Sequence, residues 1–217
     1  MNHNRESNPL AGCETTIDRL CECGRSFHRR GWSLGTSSNY SAVIERTPLE
    51  LIVTASGKDK SRLGKTDFVR IGADGLPTSG GQPASSAETQ LHVGLARREN
   101  VGAVLHTHSV WSTILSEQFA QLGGIEISGF EMLKGLSDVK THEHREWVPI
   151  FDNTQDIPAL AKKVGAYLAA SHSPCHGYLI RRHGLYTWGS DLAEAERHIE
   201  IFEFLFECVG RGLQLGG

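Results

Sequence analysis

Val101-Gly102-Ala103-Val104-Leu105-His106-Thr107-His108-Ser109 is the stretch whose reading decides the fold. Small and apolar residues up to Leu105 read as a buried strand, and two histidines close it at i and i+2. Side chains on a strand alternate between faces, so His106 and His108 point the same way and can grip one metal ion. Ser109 is placed to cap a helix through Val110-Trp111-Ser112-Thr113-Ile114-Leu115, which puts the pair at a strand-to-helix junction. Imidazole suits zinc, iron, nickel or copper, and zinc is the first choice for a hydrolytic or lyase-type site. A lone His-x-His is as often a hydrogen-bonded pair at a strand end, so the metal reading needs a third ligand and an acid or base from elsewhere.

Downstream, Gly177 to Gly189 reads as two strands joined at a kink, with His183 just before Gly184. Glycine lets the backbone turn and approach closely, which presents the imidazole at the break and makes His183 the best third ligand. Between these elements, Ile125-Glu126-Ile127-Ser128-Gly129-Phe130 reads as a strand and leads into Glu131. Glu131 follows a glycine and an aromatic and precedes mostly apolar residues; such surroundings raise a carboxylate's pKa, as an acid/base catalyst needs. The bland alternative is a solvent-facing glutamate at a strand end. A second pair, His142 and His144, lies among charged residues with no apolar strand behind it, and reads as a solvated segment. Trp147 to Phe151 is a further strand, followed by a helix with Pro158 in its first turn. A long helix from Ser190 closes the chain, with Leu192, Ala195, Ile199, Phe202, Leu205, Phe206 and Val209 inward.

Upstream, a helix over Glu14–Arg30 carries an apolar stripe and ends at Gly31, with Cys21 and Cys23 on different faces. Leu49 to Thr54 and Phe68 to Ile71 read as strands. Two small-residue loops, one through Ser37 and Asn39 and one through Ser56, Gly57 and Lys58, offer hydroxyls and free N–H groups to an anion. Ser85, Ser86 and the start of the next helix, running to about Asn100, offer more such donors. Ser85 and Glu88 also fit a capping box, which competes with any catalytic role for Glu88.

With 217 residues the chain can form one large domain with a substantial core; residues 1–9 are polar and expected to fray. Charge is nearly balanced, 22 Lys+Arg against 25 Asp+Glu, and no basic block points to nucleic acid. The five cysteines form no Cys-x-x-Cys pair and no secretory signal is evident, so a cytoplasmic, reducing setting is expected. No apolar run reaches membrane-spanning length.

His106-Thr107-His108-Ser109, Ser86-Ala87-Glu88-Thr89, the Ser56-Gly57 loop and Arg182-His183-Gly184 occur in the order seen in class II aldolases. Gly129 to Gly135, Val148 to Phe151 with Asn153-Thr154, and Arg181 to Gly189 resemble in particular the sugar-phosphate dehydratases of that superfamily. The resemblance runs from about Trp32 to Val209. It implies a single α/β domain with a largely antiparallel central sheet flanked by helices, and a homotetramer with sites near subunit boundaries. It also implies one zinc ion at His106, His108 and His183, and a phosphorylated ketose as the small-molecule substrate. Its phosphate would rest on Ser37, Asn39, Ser56, Gly57, Ser85 and Ser86. In the dehydratases the glutamate matching Glu131 is the acid/base; in the aldolases the one matching Glu88 takes that part and helps hold the metal. This chain has both. Dehydration is the expected reaction, with aldol cleavage or epimerisation as the enzymatic alternative and a silent interaction module as the non-enzymatic one.

Overall fold

The computed structural model describes residues 8–171 and 174–216, so the expected fraying of residues 1–9 falls, for 1–7, outside the described residues. Eight strands make one sheet: β1 (Asn39–Arg46), β2 (Leu49–Thr54), β3 (Phe68–Gly72), β4 (Ala103–Thr107), β5 (Gly124–Ile127), β6 (Glu146–Phe151), β7 (Gly177–Ile180) and β8 (Gly184–Gly189). Their order is β3-β2-β1-β4-β8-β7-β6-β5. Every neighbouring pair is antiparallel except β6 and β7. The expected largely antiparallel α/β architecture is what the chain adopts.

The helices are α1 (Glu14–Arg29), α2 (Thr89–Ala96), α3 (Val110–Gln118), α4 (Ile157–Ala170) and α5 (Leu192–Leu215). Alternation along β4 shows how the sheet is covered. Leu105 joins Leu20, Phe27, Phe202 and Leu205 in a core under α1 and α5, while Val104 joins Leu91, Leu160, Val164 and Trp188 under α2 and α4. A third apolar group, with Leu51, Val53, Ile71 and Val93, extends the second layer over β2 and β3. Gly31, at φ +78°, terminates α1 in the left-handed conformation that glycine adopts without a Cβ penalty.

Three expected boundaries move. The strand expected over Ile125 to Phe130 is Gly124–Ile127, because Gly129 at φ +81° turns the chain out of the sheet. The helix expected from Ser85 to about Asn100 begins only at Thr89 and ends at Ala96. The final helix starts at Leu192, where the Asp191 side chain accepts from the Glu194 N–H.

Candidate active site

β4 and β8 are register partners, with His106 opposite Tyr186, and their ends carry the histidines. Gly184 is required here: a Cβ on it would lie 2.0 Å from the Thr107 carbonyl oxygen. The β7–β8 turn puts Arg182 at φ +53°, an uncommon conformation for a side chain of that size. α3 holds the turn in place. Arg181 makes a two-pronged pair with Glu117 at 2.6 and 3.0 Å, Arg182 adds a third contact at 2.8 Å, and the Thr113 hydroxyl donates to the His183 carbonyl. Those two guanidiniums hold the Glu117 carboxyl down at about 2. α3 is itself anchored by Ser109, whose hydroxyl oxygen accepts from the Ser112 N–H as its sequence position suggests.

The three imidazoles converge. Nε2 of His106 lies 2.7 Å from that of His108 and 3.3 Å from that of His183, and the last two are 3.1 Å apart. Glu88 closes the group, its Oε2 3.4 Å from His106 Nε2 and its Oε1 3.2 Å from His183 Nε2. The buried His106 Nδ1 donates to the Leu185 carbonyl at 2.8 Å, so its Nε2 carries a lone pair aimed into the cluster. The Tyr186 ring stacks on His106 at 4.0 Å and Tyr178 on Tyr186 at 5.0 Å, fixing the plane of the imidazole. Burial, followed by the neighbouring histidines, drives His106 well below the ordinary range; burial and His183 push His108 down to about 3.

Three ring nitrogens and a carboxylate converging this closely form a set of donors that a cation can bridge. Tetrahedral zinc with bonds of about 2.0–2.1 Å separates its nitrogen ligands by roughly 3.3 Å, close to the spacings here. The donor set therefore fits a divalent ion of the zinc type. His183 Nδ1 is buried without a hydrogen-bond partner, so no orienting bond assigns its tautomer.

A cleft of about 410 Å³ opens beside the cluster. Ser37, Asn39, Ser56, Gly57, Ser86, Glu88, His108 and His183 all line it. Ser85 does not; its main chain pairs with Ala55, and no cleft-facing surface comes from it. Lys58, next to Ser56 and Gly57 in the loop read as an anion site, is turned to Asp67 at 2.8 Å. Lys60 lines the cleft instead, only 1% exposed, its ammonium donating to the Lys58 carbonyl at 2.6 Å and the Thr36 carbonyl at 3.4 Å. The sequence carried no signal to choose Lys60 over Lys58, because the burial comes from the 3-10 turn Lys60–Arg62 packing under α1.

The capping-box reading of Ser85 and Glu88 is wrong. Glu88 itself occupies the cap position of α2 and makes no side-chain capping bond; the Ser86 hydroxyl accepts from the Glu88 N–H at 3.2 Å. The Glu88 carboxylate is thereby left for the histidines.

Glu131 is placed otherwise than its neighbours in sequence suggested. It starts a 3-10 turn, Glu131–Gly135, with its side chain 72% exposed, and is absent from the lining of the histidine cleft of its own chain. That turn brings Lys134 to 2.7 Å, and the ammonium holds the Glu131 carboxyl below its usual range instead of raising it. His142, 56% exposed, fits the solvated reading, but His144 does not. It lies 2.8 Å from the buried Glu146, which is also 3.0 Å from His176 Nδ1. His176 Nε2 faces the Ser137 carbonyl at 2.8 Å, so both of its nitrogens meet acceptors. Its bonds to Glu146 and to that carbonyl hold its pKa above the ordinary histidine value despite burial, which favours an ion pair with the buried Glu146.

The class II aldolase and adducin N-terminal domain family matches residues 18–209, and the chain belongs to that family. In fold it is similar to an L-fuculose 1-phosphate aldolase, with a TM-score of 0.76 and 18% identity over 94% of this chain and 88% of that one. The L-fuculose-1-phosphate aldolase of Thermus thermophilus gives 0.72 and 21%, over 93% of this chain and 96% of that one. In sequence it is 47% identical to the methylthioribulose-1-phosphate dehydratase of Sorangium cellulosum, over 92% of this chain and 93% of that protein. It is 49% identical to that of Pseudomonas fluorescens, over 90% and 92%, and 44% identical to that of Pseudomonas aeruginosa, over 99% of both.

Proposed function

We propose that the protein is a hydro-lyase converting 5-methylthioribulose 1-phosphate to 5-methylthio-2,3-dioxopentyl phosphate in methionine salvage. The observation that carries this is a single cleft in which converging imidazoles meet hydroxyls and a buried ammonium, in a chain 44–49% identical to such dehydratases. His106, His108 and His183 would hold one zinc ion, which when bound supplies Lewis acidity to the substrate's C2 carbonyl.

The chain's own groups do the rest. Ser37, Ser56, Ser86 and the main chain at Gly57 hold the phosphate, and Lys60 supplies the positive charge that faces it. Anchoring that end sets the carbon chain toward the histidines. The C3 proton is removed; the C4–O bond breaks as an acid gives its proton to the departing hydroxyl, and water leaves. The resulting enol takes up a proton at C4 and gives up its C3 hydroxyl proton, becoming the second ketone. Glu131 is the acid. Its exposed side chain on the turn beyond β5 supports a role at the cleft of a neighbouring subunit, in a homotetramer with sites near subunit boundaries. Glu88 sits against the ligand imidazoles, and this is the observation that favours the second reading, aldol cleavage with Glu88 as base.

Incubating the zinc-loaded protein with 5-methylthioribulose 1-phosphate and following products by mass spectrometry tests the reading. The expected product is the substrate less one water; two shorter fragments, a ketone phosphate and an aldehyde, would replace it with the aldolase reading. Among the described residues no helix is long and apolar enough to cross a membrane.

A further inference from the structure

We propose that Asn39 and His92 are positioning residues that orient the Glu88 carboxylate. The proposal rests on the reading of the histidine cleft as the active site. A carboxylate oxygen only accepts, so the Asn39 amide must turn its NH₂ to Glu88 Oε2, 2.6 Å away. Its carbonyl then faces His92 Nε2 in a short hydrogen bond, which requires the proton on Nε2. His92 Nδ1 is left with a lone pair, and the Ser41 hydroxyl, at 2.7 Å, donates to it. The direction of every bond follows from the one at Glu88.

The fold makes this chain of bonds rigid. Glu88 and His92 are four residues apart at the start of α2, and Asn39 and Ser41 are two apart on β1, so each pair shares one face of its element. The four side chains therefore interlock helix and strand alternately. Asn39 is also the register partner of His106, which sets the relay directly beside the ligand strand. Ser41 and His92 are fully buried and Asn39 is 5% exposed, so water does not compete for the two bonds at His92, and the relay meets the cleft at its Asn39–Glu88 end. Burial pushes His92 down to about 3, and the neutral ring keeps one orientation of the chain at any working pH. A hydrogen-bonded chain held dry in this way fixes both the rotamer of Glu88 and which oxygen it turns to His183.

The test compares His92→Leu, which breaks the chain, with His92→Gln, which keeps an N–H donor, and with Asn39→Ala. Four quantities are measured on folded, zinc-loaded protein: kcat, KM, zinc affinity by chelator competition, and inorganic phosphate affinity by calorimetry. His92→Leu and Asn39→Ala are expected to lower zinc affinity and kcat about 10–100-fold, the usual effect of removing an outer-shell partner. In His92→Leu, phosphate affinity should stay within about 3-fold, because His92 is buried outside the cleft, and His92→Gln should recover most of the loss. Weakened phosphate binding in Asn39→Ala with zinc affinity and kcat intact would overturn the proposal and return Asn39 to the anion site. Should His92→Leu not fold, Ser41→Ala and Asn39→Ala carry the same comparison. Failure of the functional reading looks different: the wild-type protein would then hold zinc and phosphate yet release no water from the substrate.

Discussion

Replacing Lys60 with methionine should make the protein more stable and a poorer enzyme at once. The ammonium is 1% exposed, its partners are two main-chain carbonyls, and no ion pair to a carboxylate is formed within the described residues. Burial lowers it from 10.5 to about 8, with Asp59 and Asp67 offsetting only part. Ammonium at that site is therefore disfavoured by roughly 3 kcal/mol relative to the unfolded chain. The sign follows: a lysine lowered on folding penalises the folded state fully below pH 8 and ceases to do so above its unfolded value. Methionine keeps the stem and removes the charge, but leaves two carbonyls with one fewer donor each, so the net gain at pH 7 is about 1–2 kcal/mol. In a chain of this size that raises Tm by roughly 2–8 °C. A charge-assisted bond to a phosphate is worth about 1.5–3 kcal/mol, so KM and the Kd for inorganic phosphate should rise about 10- to 150-fold. Thermal melts with and without phosphate, beside calorimetry, read both effects, and Lys60→Arg should retain part of the binding. A Lys60→Met protein with wild-type KM and wild-type stabilisation by phosphate would refute the assignment.

His106→Ala, His108→Ala and His183→Ala should each lose zinc by metal analysis while His142→Ala keeps it; full zinc in His183→Ala would remove that residue from the ligand set. Glu131→Gln should keep zinc and lose about 10²–10⁴ in kcat, the worth of general acid catalysis, whereas Glu88→Gln should weaken zinc as well. If Glu131 crosses to a neighbour, co-refolding Glu131→Gln with His183→Ala subunits should restore activity that neither has alone; mixed oligomers that stay inactive would place both groups in one chain. The Glu146–His176 pair should shape stability against pH. Burial lowers His176, but its bonds to Glu146 and the Ser137 carbonyl outweigh this, and its pKa ends above 6.5. Burial raises Glu146, but hydrogen bonds from His176 and His144 outweigh this, and it ends below 4.5. The histidine's contribution is complete below 6.5 and is lost as pH rises through its folded value; the glutamate's is complete above 4.5 and is lost as pH falls through its own. Melts of wild type and His176→Gln should therefore differ most between pH 5 and 6, and a difference constant from about pH 4 to 9 would show that the pair is not charged.

What could be read from the residues was local periodicity and backbone chemistry. The period of two along β4 put His106 and His108 on one face, and Ser109 capped α3 because its side chain reaches the Ser112 N–H from that spacing alone. His183 before Gly184 was legible because close strand approach demands glycine there. Burial created by distant chain was not legible. Lys58 and Lys60 are two residues apart with similar neighbours, and which one is buried depends on a turn packed under α1. His144 looked solvated because the group that buries its partner Glu146 is His176, 30 residues away. Glu131 looked desolvated from the apolar residues beside it, yet the 3-10 geometry turns Met132 and Glu131 outward and only Leu133 inward.

Glu88 shows why a local pattern and a site can compete for one side chain. A serine followed three residues on by a glutamate satisfies two orphan N–H groups reciprocally, and that stabilises an isolated helix by about 0.5–2 kcal/mol. The chain forgoes this. By starting α2 one residue after Glu88, it places the carboxylate at the cap position with no N–H to serve, and lets Ser86 supply the hydroxyl instead. The four residues that follow carry His92 back beneath it, so the first turn of α2 that would have used Glu88 as a cap becomes the frame that holds it toward His106 and His183. An eight-residue helix is marginal on its own, and its stability comes from Leu91, Val93 and Leu95 packed on the sheet. That tertiary burial is what leaves the glutamate free to face the histidine cluster.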